Sequence, residues 1–219
     1  MAADPNDLTT VASVQAFLLA GGMAATDDAV IQMAITWASR IFVTETGQTL
    51  GTGTAGNVFN SQLSFTEVYD GNGSDTLYLR NRPVASVQSL AIENLTIPLS
   101  TGWGSAGYFI DTAGSSLGLR NGTWPGTTSP TGSPLAGSFY FWRGRGNIFI
   151  TYTAGYASIP TDIQQAVVQM ASILYKRRNW LDEKSRSMAG GGGTTSYQAW
   201  PWPPEVGRVM LNYKRMAVM

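Results

Sequence analysis

Apolar residues fall at helical spacing near both ends of the chain and alternate with polar ones in between. Val11, Val14, Phe17 and Leu18 share one helical face, with Thr10 placed to cap it and Gly21-Gly22 to stop it. This predicts a short helix over residues 10–20. A longer helix is predicted from Thr26 to a stop at Gly47. Asp27 and Asp28 stand in its first turn, where carboxylates complement the helix dipole. Val30, Ala34, Trp37, Ala38 and Ile41 form its apolar stripe. The period then falls to two. Runs 65–69 and 76–80 flank "DGNGSD", a strong hairpin signal. Residues 84–93, 95–99 and 108–110 predict further strands. So do "SFYFW" (138–142) and "NIFITYT" (147–153), with "RGRG" (143–146) as the turn between them.

Helical spacing returns after Pro160. Thr161 with Gln164 fits a capping box, and Asp162 adds an acid to the first turn. Ile163, Val167, Met170, Leu174 and Leu181 repeat along the helix. Lys176, Arg177 and Arg178 lie toward its negative end. A last short helix is predicted over 205–216. Between these elements, residues 47–61 read as a connection, and 112–138, rich in Gly, Thr, Ser and Pro, as a long loop. "GGGG" (190–193) reads as a flexible break before "WPWPPE".

The order helix, helix, many strands, helix, helix predicts an α+β fold. It is a small bundle of about four helices with a β-rich insertion between the second and third. The expected division is a discontinuous helical domain, residues 1–60 and 156–219, with a mobile C-terminal tail from about 185. Residues 61–155 form the insertion. "GYASIP" (155–160) is then the exit from the insertion back into the bundle. Gly155 supplies a backbone geometry that other residues resist.

Composition narrows the chemistry. The 219 residues contain no cysteine and no histidine, which excludes disulfides, the usual zinc sites and a Ser-His-Asp triad. No metal, cofactor or catalytic residue is expected. Fourteen basic and fourteen acidic residues cancel, so no global charge favours tight nucleic-acid binding. Only 13% of residues are charged, below the usual quarter, and this suits contacts between like subunits as well as it suits a neutral, loop-rich surface. The first residues lack the basic-then-apolar pattern of a signal peptide, and no apolar run approaches the ~20 residues that span a bilayer.

Several short motifs invite a chemical reading. "DGNGSD" places Asp70, Asn72 and Ser74 at alternate positions, as a calcium loop begins, but Asp75 and Asn81 stand where an EF-hand has Gly and Glu. A turn fits better. "GGGG" lacks the Gly-Lys-Ser/Thr ending of a phosphate loop. Arg143 and Arg145 bring two charges to a turn, where they can touch a DNA backbone or a neighbouring subunit, or lie solvated. Glu67, Asp70, Asp75, Glu93 and Asp111 show no spacing that argues for a hydrolase pair. Tyr140, Trp142, Phe149 and Tyr152 alternate on strands, as sheet faces do, and can also form a carbohydrate platform. Trp200 and Trp202 sit in a proline-stiffened segment after the glycines. There they either anchor a partner or fold back on the chain.

Four stretches occur together in order: "TDDAVIQMAITWASRIF" (26–42), "EVYDGNGSDTLYLRNRPVASVQSLAI" (67–92), "ITYTAGYASIPTDIQQAVVQMASILYKRR" (150–178) and "PPEVGRVMLNYKR" (203–215). With them the chain resembles the head–tail connector, or adaptor, proteins of tailed bacteriophages and gene transfer agents. The resemblance implies a non-enzymatic virion protein at the head–tail interface, assembled in the host cytoplasm. It implies a ring, typically dodecameric, beneath the portal protein. That ring lets double-stranded DNA pass without sequence-specific binding and receives the stopper or tail-completion protein. It also implies that the C-terminal segment reaches the portal. On this chain the contact candidates are Trp200, Trp202, Val206, Leu211, Tyr213, Lys214 and Arg215. The competing readings are a β-rich module of a phage tail, binding carbohydrate or another virion protein, and a weaker third, a carboxylate-only hydrolase.

Overall fold

The computed structural model describes residues 3–22, 26–48, 50, 56–102, 105–111, 116–120, 140–178, 185–188, 192–196 and 202–215. In chain order the elements are α1 (Val11–Ala20), α2 (Asp28–Glu45), β1 (Leu63–Gly71), β2 (Thr76–Tyr78), β3 (Val84–Ile92), β4 (Leu95–Thr96), β5 (Gly107–Ile110), β6 (Ser116–Arg120), β7 (Gly144–Ala154), α3 (Thr161–Arg177), β8 (Ser185–Met188), β9 (Gly192–Ser196) and α4 (Pro204–Asn212). The fold class is α+β. The chain divides into two compact units, residues 1–60 with 158–214, and residues 61–157 with 215–219.

In the first unit α3 is the hub, packing against α1, α2 and α4. Ile163, Val167, Met170 and Ala171 of α3 are fully buried, as are Ile31, Ile35, Ala38 and Phe42 of α2 and Val14 and Leu18 of α1. Each large apolar side chain so buried contributes about 1.5–3 kcal/mol. Thr10 caps α1 as expected, its hydroxyl accepting from the Ser13 amide at 3.3 Å. Thr161 does not cap α3. It is the first helical residue, and the Pro160 carbonyl accepts from the Gln164 amide at 3.0 Å. The Gln164 side chain still reaches back, donating to the Ile159 carbonyl.

The stripe expected on α2 is corrected. Its buried face is Ile31, Ile35, Ala38, Phe42 and Val43, whereas Val30 and Trp37 point outward. Both faces of this helix are apolar, and packing on α3 rather than periodicity selects which one is covered.

In the second unit, β1, β7, β3 and β4 form one antiparallel sheet in that order, and β2, β6 and β5 a second. The eleven-residue β7 is central and pairs on both sides. Strand alternation sends Tyr69, Leu90, Ile92, Ile148, Ile150 and Tyr152 inward. They share one core with Leu77, Tyr108, Leu117 and Leu119 of the other sheet.

Several local expectations change. "DGNGSD" is a turn, but the strands beside it enter different sheets, so it closes no two-stranded hairpin. The Asn72 carboxamide accepts from the Ser74 amide at 2.8 Å and donates to the Thr76 carbonyl, and Gly73 adopts a left-handed φ of 77°. Residues 140–142 are not a strand. Phe141 is pinned instead to the turn, its carbonyl accepting from Gly73 and its amide donating to Ser74. Residues 144–146 belong to β7 rather than to a turn, held where the Asp70 carboxylate accepts from the Gly146 amide at 2.5 Å. Residues 116–120, inside the expected long loop, form β6. The rest of that loop, 112–115 and 121–138, lies outside the described residues, as do Leu181 and residues 190–191.

Gly192 and Gly193 are strand residues of β9, paired with β8, so the expected flexible break is in part a ladder. Gly155 takes a φ of 125° and donates to the Pro83 carbonyl at 2.9 Å, as a glycine at this junction is suited to do.

Candidate interaction surfaces

The C-terminal helix begins at Pro204 and stops at Asn212, short of the expected end. Pro204 fits the first turn, where its missing N–H costs no hydrogen bond. Val206 is buried at 1% exposure, so it serves the chain's own core rather than a partner's pocket. Trp202 is half-buried. Tyr213 packs edge-on against Phe59, and its hydroxyl lies 3.0 and 2.9 Å from the two Asp162 carboxylate oxygens. This ties the chain beyond α4 back to the first turn of α3. Of the tail expected from about 185, the described residues include β8, β9 and α4, which packs on α3. Of the contact candidates, Leu211 is 69% exposed and Lys214 is exposed, while the Arg215 guanidinium donates to the Arg80 carbonyl at 3.2 Å. Trp200 lies outside the described residues.

Arg143 and Arg145 are both exposed. Arg143 lies across Gly73, where an added Cβ would sit 3.0 Å from its Cγ. Arg145 is on β7. They are thus not two tips of one turn.

Beneath the first sheet lies a polar cluster that alternation alone does not reveal. Glu67 accepts from the Tyr69 and Tyr152 hydroxyls on one oxygen, at 2.5 and 2.7 Å, and from the Asn81 side chain on the other. The Tyr152 hydroxyl accepts from the Asn81 amide and carboxamide at 3.3 and 3.2 Å, and the Arg80 amide donates to Tyr69. Burial first, and the bond to Glu67 second, push both tyrosine hydroxyls above the ordinary range. The donors and acceptors are matched within the chain, and such a network fixes strand placement. Asn72 and Ser74 are likewise engaged in their own turn, and the Asp70 carboxylate accepts from the Gly146 amide of β7. Among the described residues no group of three or more acidic side chains is placed to hold a metal ion. Among them, too, no helix is long and apolar enough to cross a membrane.

The prominent outward feature of the first unit is apolar. On α2, Val30, Met33 and Trp37 are 39%, 60% and 55% exposed, and on α1 Phe17 and Leu19 are 40% and 67% exposed. Sequence reasoning placed Val30 and Trp37 in the core and left out Met33. The signal that marks them is a helix apolar on two faces, of which one helix-to-helix contact can cover only one.

Comparison with known proteins bears on how such a surface is read. Residues 128–216 match the head completion protein family. The matched span is under half of the 219 residues and includes β7, α3, β8, β9 and α4. It bears out, at the level of the family, the resemblance to head–tail connector proteins carried by the sequence. Among solved structures, the chain is similar to one in "Neck of empty GTA particle computed with C6 symmetry", at 20% identity. That alignment covers 100% of this chain and 95% of the other, with a TM-score of 0.49. No curated protein matches the chain significantly.

Proposed function

We propose that the chain is a structural component of the head–tail junction of a tailed phage or phage-like particle, working by assembly rather than by catalysis. The observation that carries this reading is the head completion match across the helices α3 and α4 and the segment between them. On this reading copies form a ring, twelve by the family resemblance, that docks beneath the portal, extends the DNA channel and receives the stopper or tail-completion protein. Leu211, Lys214 and Trp202 near α4 are the proposed portal-facing residues, joined by Trp200, Tyr213 and Arg215 of the same segment. Arg143 and Arg145 are proposed to face DNA or a neighbouring subunit. Zero net charge suits a channel through which DNA must slide, because each phosphate neutralised by a cation strengthens retention.

Depleting the chain from an assembling particle tests the proposal. The expected result is DNA-packed heads that carry no tail. Heads that join tails normally without it would contradict the reading. Glycan binding by the purified chain, together with tailed particles of altered attachment, would favour the tail-module alternative.

A further inference from the structure

We infer that Tyr213, Asp162 and Phe59 form a clasp that holds α4 on the helical bundle as a strap, and that the strap opens before Tyr213 meets a partner. The inference rests on the portal-facing reading of the C-terminal segment. It adds a closed state to that reading and the chemistry of the pocket that would displace it.

The strap is held shallowly. Val206, Val209, Met210 and Tyr213 stand at i, i+3, i+4 and i+7, one face of a helix. Of the residues of α4, Val206 alone is buried, whereas α3 buries eight. A helix of nine residues is marginal in water by itself and owes its shape to packing. With so little of it, α4 opens at a smaller cost than α3 does.

Tyr213 supplies the rest of the hold. Its hydroxyl donates to the Asp162 carboxylate, with 3.0 and 2.9 Å to the two oxygens. Its ring meets Phe59 edge-on, with 5.9 Å between centroids. Phe59 is 1% exposed and meets Phe42 of α2 in the same way at 5.7 Å. Tyr213 thus closes a row of rings that starts inside the bundle. Both ends of its side chain are engaged, so the closed strap offers neither to a partner. Opening frees Tyr213 and uncovers Phe59. A partner that takes Tyr213 competes with Phe59 for the ring and with Asp162 for the hydroxyl. The pocket that fits is apolar along its walls and carries a hydrogen-bond acceptor at its floor.

The test is Asp162→Ala in the full chain, which loosens the clasp and leaves α4 itself unaltered. Gln164→Ala is the control, since Gln164 lies in the same turn of α3 and bonds to Ile159 instead. Amide hydrogen exchange of the purified chain reads the strap at Gly207 and Tyr213, whose amides donate to Pro203 and Val209. In the wild type these amides are expected to exchange faster than those of central α3. Asp162→Ala should speed them by on the order of 10-fold without changing α3, and the control should not. Should Asp162→Ala unsettle the start of α3, as circular dichroism would show, Tyr213→Phe removes the same bond from the other side and should give the same gain in exchange. Attachment to heads assembled without the chain is the second readout. Asp162→Ala should attach more tightly, by up to the same factor, because a larger share of the chain is open. Amides of α4 as slow as those of α3 would overturn the inference. So would a variant that speeds exchange and weakens attachment, since the closed strap would then be the form that binds. A wild type whose strap opens but which never attaches to heads overturns the portal-facing reading, leaving the clasp in place without that partner.

Discussion

Tyr152 joins two roles in one side chain: its ring is fully buried in the core of the strand unit, and its hydroxyl both donates to Glu67 and accepts from Asn81. Tyr152→Phe keeps the ring and leaves the Asn81 amide without that acceptor. A loss of about 1–3 kcal/mol in urea unfolding at neutral pH is expected, and no change would show that the network contributes nothing. Alkali gives a second readout. Tyr69 and Tyr152 hold their protons more tightly folded than unfolded, first because of burial and then because both donate to Glu67. Their contribution is complete below the ordinary tyrosine value of about 10 and falls as pH rises above it, when the unfolded chain ionises first. The Tyr152→Phe variant should therefore lose stability less steeply above that pH. None of this was legible in the sequence. Glu67, Tyr69, Asn81 and Tyr152 are spread along the chain, and only the pairing of β1 with β7 brings Glu67 and Tyr152 together.

At the scale of elements, α4 shows how a segment read as an anchor can be part of the core. Val206→Ala should destabilise the chain by about 2 kcal/mol, measured by denaturant unfolding. A loss below a few tenths would mean that α4 does not stay docked on α3. Removing everything after Gly193 would also strip this buried residue, so such a truncation tests folding together with partner binding. The helices and the long strands β1, β3 and β7 were legible because the two periodicities differ and because Thr10 and Gly47 mark helix ends. The packed side of α2 was not, since Val30 and Trp37 are as apolar as Ile31 and Phe42. The strand of residues 116–120 hid in a Gly- and Ser-rich stretch because its partners, β2 and β5, supply the ladder from outside that stretch. The two terminal glycines of "GGGG" were hidden in the same way: their strand state comes from β8, not from their own weak propensity.

At the scale of the whole molecule, the pointer to assembly lies in four stretches that resemble those of connector proteins. The sequence carried them together with balanced charges, which suit contact with neutral partners. It did not show which surface remains for a partner, because exposure is decided only after α2 has chosen its inner face. The central claim is that copies of this chain form a ring at the head–tail junction. Electron cryomicroscopy of assembled particles, with the chain marked by a small fused tag, tests it most directly. The account predicts a closed ring of tagged copies between head and tail. Tag density on the tail tip or fibres, or single copies at the junction, would contradict it.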